Sequence, residues 1–141
     1  MPIEKQPAAS PGPDLADLIV TAVRQTKAFD PILLKVDSIS SFTDYFFICS
    51  GSSSRQVQAI AEHILEQVKK QSGRLPLGTE GRTGGQWVLI DYGEIVMHVF
   101  QDPIRRFYDL EGLWVEATRI DIEAAAKKTD PSPPQAYKDQ E

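Results

Sequence analysis

The residues best placed to do chemistry are Ser50-Gly-Ser-Ser-Ser-Arg55, where the apolar run Tyr45 to Ser50 breaks into a Gly/Ser turn and then a helical repeat. Unpaired backbone N–H groups at the start of a helix suit an anion, and Ser52, Ser53 and Arg55 are the residues that would hold it. Nucleotidyl transfer also needs carboxylates on a neighbouring strand to hold Mg²⁺ against phosphates. No such pair follows on a strand; Asp91 and Glu94 only flank a turn. Ser53 and Gln56 have capping-box spacing, so the plainer reading is that these serines start a helix. Cys49, His63 and His98 lack zinc-ligand spacing, and no G-x-S-x-G, G-x-x-x-x-G-K-[ST] or dinucleotide fingerprint occurs. No catalytic residue, metal or cofactor is therefore assigned. Arg105-Arg106 beside Phe107-Tyr108 has the ingredients of an RNA contact. At helical spacing, however, Ile104, Phe107, Tyr108 and Glu111 form one face, which predicts packing with a solvated basic flank.

Hydrophobic periodicity defines the elements that carry these groups. Asp14 is placed to cap a helix in which Leu15, Leu18, Ile19, Ala22 and Val23 share a face, with Lys27 near its end and Pro31 barring continuation. Ile32 to Val36 and Tyr45 to Ser50 read as strands, and the nearly unbroken apolar character of the second predicts a central position covered on both faces. Val57, Ile60, Ala61, Ile64, Leu65 and Val68 form the stripe of the next helix, which ends in Lys69-Lys70 with Gly73 as terminator. A short strand around Leu75 to Thr79 precedes a glycine-rich stretch.

Trp87-Val-Leu-Ile-Asp-Tyr-Gly-Glu-Ile-Val-Met-His-Val-Phe100 reads as a hairpin. Pairing across Tyr92-Gly93 puts Val88, Ile90, Ile95, Met97 and Val99 on a core face. Trp87, Leu89, Asp91, Glu94, Val96, His98 and Phe100 fall on the other, an aromatic and charged face that packing alone does not explain. Tyr fits a mirror-image turn poorly, which leaves the register free to slip. Asp102-Pro103 supplies a cap and a proline for a short helix that Gly112 closes, and Asp121 to Lys128 extends as a marginal helix. The pattern is that of an α/β or α+β domain with a mixed sheet flanked by helices.

With 141 residues, 41% hydrophobic, the chain can bury one core, expected over residues 14–120. Residues 1–13 and 121–141 are expected as flexible tails, since their Pro, Ser, Gln and charged content cannot offset chain entropy. A net charge of -5 argues against a protein that neutralises phosphates. The one cysteine, Cys49, sits in an apolar run as a small hydrophobe and cannot form an internal disulfide. With no apolar leader in Met1 to Pro13 and no bilayer-length run, the expected location is the reducing cytoplasm.

Thr43-Asp-Tyr-Phe-Phe-Ile, Ser50-Gly-Ser-Ser-Ser-Arg-Gln-Val, Glu80-Gly, Trp87-Val-Leu-Ile-Asp-Tyr-Gly, His98-Val-Phe and Arg106-Phe-Tyr-Asp-Leu-Glu-Gly-Leu-Trp114 together resemble the ribosomal silencing factor family, RsfS, also called Iojap or YbeB-like. The likeness runs from about Asp14 to Glu116, with the motifs in order; the proline-rich N-terminal extension and the tail beyond Glu116 depart from it. It implies a nucleotidyltransferase-like fold without the catalytic carboxylates. It also implies binding to the large ribosomal subunit on ribosomal protein uL14, so that the small subunit cannot join, and leaves room for a homodimer. The acidic charge agrees, because it favours a basic protein patch over bare RNA.

The expected function is therefore a non-enzymatic translational repressor that works as a steric plug. Its expected partner-binding residues are Trp87, Leu89 and His98 on the outward hairpin face, Glu80 and Asp91 as acidic neighbours, and Tyr108 and Glu111 on the last helix, since aromatic anchors with an acidic surround suit a basic partner. Against this stand closure of the core by Trp87 and Trp114, a nucleotide- or anion-binding enzyme or sensor built on the Ser50 to Arg55 turn, and a dimeric scaffold that buries the aromatic face against itself.

Overall fold

The computed structural model describes residues 14–36, 42–113, 117–120 and 122. Its strands are β1 (Phe29–Lys35), β2 (Tyr45–Gly51), β3 (Gly78–Glu80), β4 (Trp87–Asp91), β5 (Ile95–Gln101) and β6 (Thr118–Ile120). They form one mixed sheet in the order β3-β4-β5-β2-β1-β6, in which β2 and β5 run parallel and the other neighbours antiparallel. Helices α1 (Leu15–Arg24) and α2 (Ser54–Ser72) cover one face, while α3 (Asp102–Tyr108) and α4 (Leu110–Leu113) follow β5. This is the mixed-sheet α+β architecture expected, with β2 central between β1 and β5.

Local chemistry sets the long helix. Ser53 Oγ accepts from the Gln56 N–H at 3.1 Å, and Gln56 Oε1 returns a bond to the Ser52 N–H at 2.7 Å, one residue ahead of the usual box partner. Gly73, at φ 76, ends the helix with its N–H on the Lys69 carbonyl. The first helix starts after Asp14 as expected, but the Asp14 side chain makes no capping bond. It stops at Arg24, short of Lys27, where Thr26 Oγ1 donates to the Val23 carbonyl at 2.6 Å and accepts from the Ala28 N–H at 3.1 Å.

The main core lies between the sheet and the two long helices. Ile19, Val23, Ile60 and Ile64 meet Phe47, Cys49, Val88, Ile90, Met97 and Val99 there, all 3% exposed or less. Cys49 is buried as expected, and burial pushes its thiol up to about 12 against the opposing charge of Arg105, so it stays protonated.

The hairpin keeps the expected division of faces and changes its register. Trp87 pairs with Phe100, Leu89 with His98 and Asp91 with Val96, so the turn centres on Gly93-Glu94 rather than Tyr92-Gly93, a slip of two residues. Gly93, at φ 95, takes the left-handed first turn position that Tyr92 could not, and Tyr92 becomes the last paired residue, with its ring buried. An even slip preserves which side chains share a face. Glu94 leaves the face altogether and pairs with Arg74.

Three further expectations are corrected. The strand expected around Leu75 to Thr79 is confined to Gly78–Glu80, with Leu75 and Leu77 exposed. Helix α3 begins at Asp102 after Gln101, and Asp109 in the left-handed conformation (φ 48) ends it, whereas Gly112 lies inside α4. Its buried residue is Arg105 and Phe107 points out at 79% exposure, against expectation, while Ile104 packs and Arg106 is solvated as expected. The readings for Trp114, for the tails and for a helix over Asp121 to Lys128 fall outside the described residues, save Ile122.

Candidate docking face and the cleft beside it

Strand alternation sends Trp87, Leu89 and Asp91 of β4, Val96, His98 and Phe100 of β5, and Phe46 and Ile48 of β2 to the face opposite α1 and α2. This face carries a small second core, Leu34, Val36, Ile48 and Phe100, which Ile104 and Leu110 cover at one end. Beyond that cover, Phe46, Trp87, Leu89 and Val96 remain half-buried on this face of the mixed sheet. The apolar character of an uncovered face is the first property required of a docking surface.

An aromatic cluster organises it. Trp87 stacks on Phe100 with ring centroids 4.7 Å apart and meets Tyr108 of α3 at 5.1 Å. Its indole N–H donates to Nδ1 of His98 at 3.1 Å, and His98 packs edge-on against Phe46 at 5.1 Å. His98 is only 5% exposed, so it supports this platform from beneath instead of presenting a surface, a correction to its expected outward position. Burial drives its pKa down to about 4, leaving the ring neutral. Glu80 is exposed on β3 directly opposite Leu89. Asp91 is half-buried, and its Oδ1 accepts from the Gly93 N–H at 2.8 Å, which shapes the hairpin turn.

The C-terminal ends of the parallel strands β2 and β5 are where a nucleotide would have to bind in such a sheet. A cleft of about 620 Å³ opens there, lined in part by Asp30, Asp102, Arg105, Arg106, Glu111 and Arg119. Arg105 enters it as a structural tie: Nη1 donates to Ser50 Oγ at 2.9 Å and to the Asp30 carbonyl at 2.7 Å, and Nη2 reaches Glu111 Oε2 at 2.6 Å. Burial would raise the Glu111 carboxyl, but the bond to Arg105 and its charge hold it below the usual range. Glu111 is thus committed within the molecule. Arg105, Glu111 and Ser50 each drew notice in sequence for other roles, but their tie to one another carried no signal, because they come together only when β1, β2 and α4 assemble.

The Ser50 to Arg55 turn is likewise occupied from within. Ser50 Oγ serves Arg105, Ser53 caps α2, the Ser52 N–H is taken by Gln56, and Ser54 Oγ contacts Gln101 Oε1 at 3.4 Å. Arg55 is exposed. Among the described residues no group of three His, Cys, Asp or Glu could hold a metal, and no helix is long and apolar enough to cross a membrane. Of the residues singled out from sequence, the fold therefore brings Trp87, Leu89, Asp91, Glu80 and Tyr108 to one surface, puts His98 under it and draws Glu111 into the neighbouring cleft.

A family model described as "Ribosomal silencing factor during starvation" matches residues 9–141. The chain belongs to the ribosomal silencing factor family. It is 42% identical over 110 residues to Ribosomal silencing factor RsfS of Halalkalibacterium halodurans, covering 78% of this chain and 93% of the relative. The corresponding figures for RsfS of Bacillus subtilis are 39% over 106 residues, 75% and 89%. A mouse protein named Mitochondrial assembly of ribosomal large subunit protein 1 is 32% identical over 100 residues, which span 70% of this chain and 44% of that protein. Two crystal structures share the fold. One, from Chromobacterium violaceum, has a TM-score of 0.68 at 33% identity, over 71% of this chain and 82% of that one. The other, from Bacillus halodurans, has a TM-score of 0.67 at 39% identity, over 76% and 96%. The relatives' names describe regulation and assembly of ribosomes, in line with the RsfS resemblance of the motifs.

Proposed function

We propose that this RsfS-family chain is a non-enzymatic translational repressor in the cytoplasm that binds the large ribosomal subunit through ribosomal protein uL14 and sterically blocks joining of the small subunit. The observation that carries the reading is the half-open face of Trp87, Leu89 and Val96, rimmed by Tyr108, Glu80 and Asp91, in a chain of that family. A Trp- and Tyr-bearing apolar centre with an acidic edge complements a basic protein patch. The net charge of -5 supports a protein contact over bare RNA. Arg105, which had the ingredients of an RNA contact, is buried, and Arg106 pairs with Asp102 at 2.9 Å.

Sedimentation with separated ribosomal subunits tests it. The protein should travel with large subunits, scarcely with small ones, and added beforehand should lower the yield of joined ribosomes. Equal binding to both subunits, or unchanged joining at saturation, would refute the proposal.

A further inference from the structure

We propose that His98 is a positioning residue for docking: its Nδ1 holds the Trp87 indole in the orientation that the partner meets. The inference rests on the reading above that the face carrying Trp87 is the docking surface.

His98 has an imbalance that packing does not explain. A neutral imidazole whose Nδ1 accepts a hydrogen bond carries its proton on Nε2. That Nε2 is buried and has no hydrogen-bond partner among the described residues. An unpaired buried donor opposes folding, and a phenyl ring could fill the space beside Phe46 and Phe100 without one. Among the described residues, the polar contact that a histidine makes here and a phenylalanine would not is the bond from Trp87 Nε1–H. The imidazole that accepts it is fixed in turn, edge-on to Phe46 and stacked with Phe100 at 6.1 Å.

The consequence for Trp87 is orientation. The torsion that swings an indole about its Cβ–Cγ bond is broad and roughly two-fold, so stacking on Phe100 and contact with Tyr108 do not by themselves choose which edge faces outward. The His98 bond chooses: the polar edge turns inward and hydrocarbon ring is left for the partner. An anchor already fixed in its bound orientation loses less freedom on association. Trp87 then asks for no hydrogen-bond acceptor. With Glu80 and Leu89 paired on the adjoining strands, the fitting contact is an aliphatic side chain or the stem of a Lys or Arg whose charge reaches the acidic rim.

The test uses the full-length protein and purified large ribosomal subunits. His98→Phe keeps the ring and removes the acceptor, and His98→Asn restores an acceptor at the Nδ1 position. His98→Phe should weaken binding roughly ten-fold, the worth of about one hydrogen bond, and His98→Asn should return it to within roughly three-fold of wild type. In the Trp87→Phe background, where no indole N–H exists, the His98→Phe effect should vanish. Should the variants fold poorly, nitrogen-15 NMR of the wild type decides: His98 should be the Nε2–H tautomer, and the Trp87 indole N–H should exchange slowly with solvent. Full binding by His98→Phe while Trp87→Ala binds weakly would overturn the positioning role alone, as would an Nδ1–H tautomer. Undiminished binding by Trp87→Ala would overturn the docking face itself.

Discussion

Removing the carboxylate of Glu111 should unfold the molecule more readily than any surface-charge change, because Arg105 would be left buried and unpaired. The Arg105 side chain is 7% exposed and that of Glu111 23%. Both Nε and Nη2 of the arginine donate to Glu111 Oε2, at 3.0 and 2.6 Å. A charge-assisted bond contributes about 1.5–3 kcal/mol, and breaking a fully buried pair costs about 3–5 kcal/mol. Ser50 Oγ and the Asp30 carbonyl continue to solvate the guanidinium, and Glu111 is partly open to water, so Glu111→Ala should lose about 2–3 kcal/mol. Urea denaturation with a shared slope measures this, with Arg106→Ala as the control. The Arg106 side chain is 71% exposed beside Asp102, and its loss should leave the urea midpoint essentially unchanged. Replacing both partners with apolar residues, Arg105→Met with Glu111→Leu, should be less damaging than Glu111→Ala alone, since no charge remains stranded. A Glu111→Ala protein within about 0.5 kcal/mol of wild type, or a double variant worse than the single, would refute the reasoning.

Charge reversal at Glu111 thus probes folding, and the docking rim is better tested by Glu80→Lys with Asp91→Asn. That pair should weaken large-subunit binding and flatten its salt dependence, whereas tighter, more salt-sensitive binding would point to RNA. Ser53→Ala should lower stability by about 1 kcal/mol through loss of the α2 cap and leave binding intact in the folded fraction; a melting curve unchanged from wild type would contradict the cap. The pH profile of stability follows from His98. Its folded pKa of about 4 lies below the ordinary 6.5, so its contribution is complete above about pH 6.5 and falls as pH drops toward 4. Between pH 7.5 and pH 5 the wild type should lose about 2 kcal/mol that His98→Phe does not, and identical profiles would show that His98 is not held neutral.

Much of this was legible along the chain. The α2 stripe, its Ser53–Gln56 start and Gly73 stop, the central place of β2 and the division of faces in the hairpin all emerged where read, because capping is local and periodicities of 3.6 and 2 survive small errors of boundary. The surface positions of Glu80 and Tyr108 and the half-buried ones of Trp87 and Leu89 were visible for the same reason, as large or charged side chains on a face that the core did not claim. The motifs also carried the family, since several separated segments in order constrain far more than any one does.

What the chain did not reveal depends on contacts between distant residues. The hairpin slipped by two because only the assembled sheet balances Tyr92 burial against the turn geometry that Gly93 allows. His98 alternates outward like its neighbours, yet Phe46 and Trp87 close over it, and alternation specifies a face but not its cover. Arg105 reads as half of a solvated Arg-Arg pair until β1 and β2 bring the Asp30 carbonyl and Ser50 Oγ to it, from 75 and 55 residues away. Sequence by itself determined the long helix, the central strands and the faces of the hairpin, because propensity and periodicity act over a few residues. Tertiary structure alone decided which polar groups are consumed inside and which remain outside, because a buried charge or ring takes the partner that folding places within bonding distance.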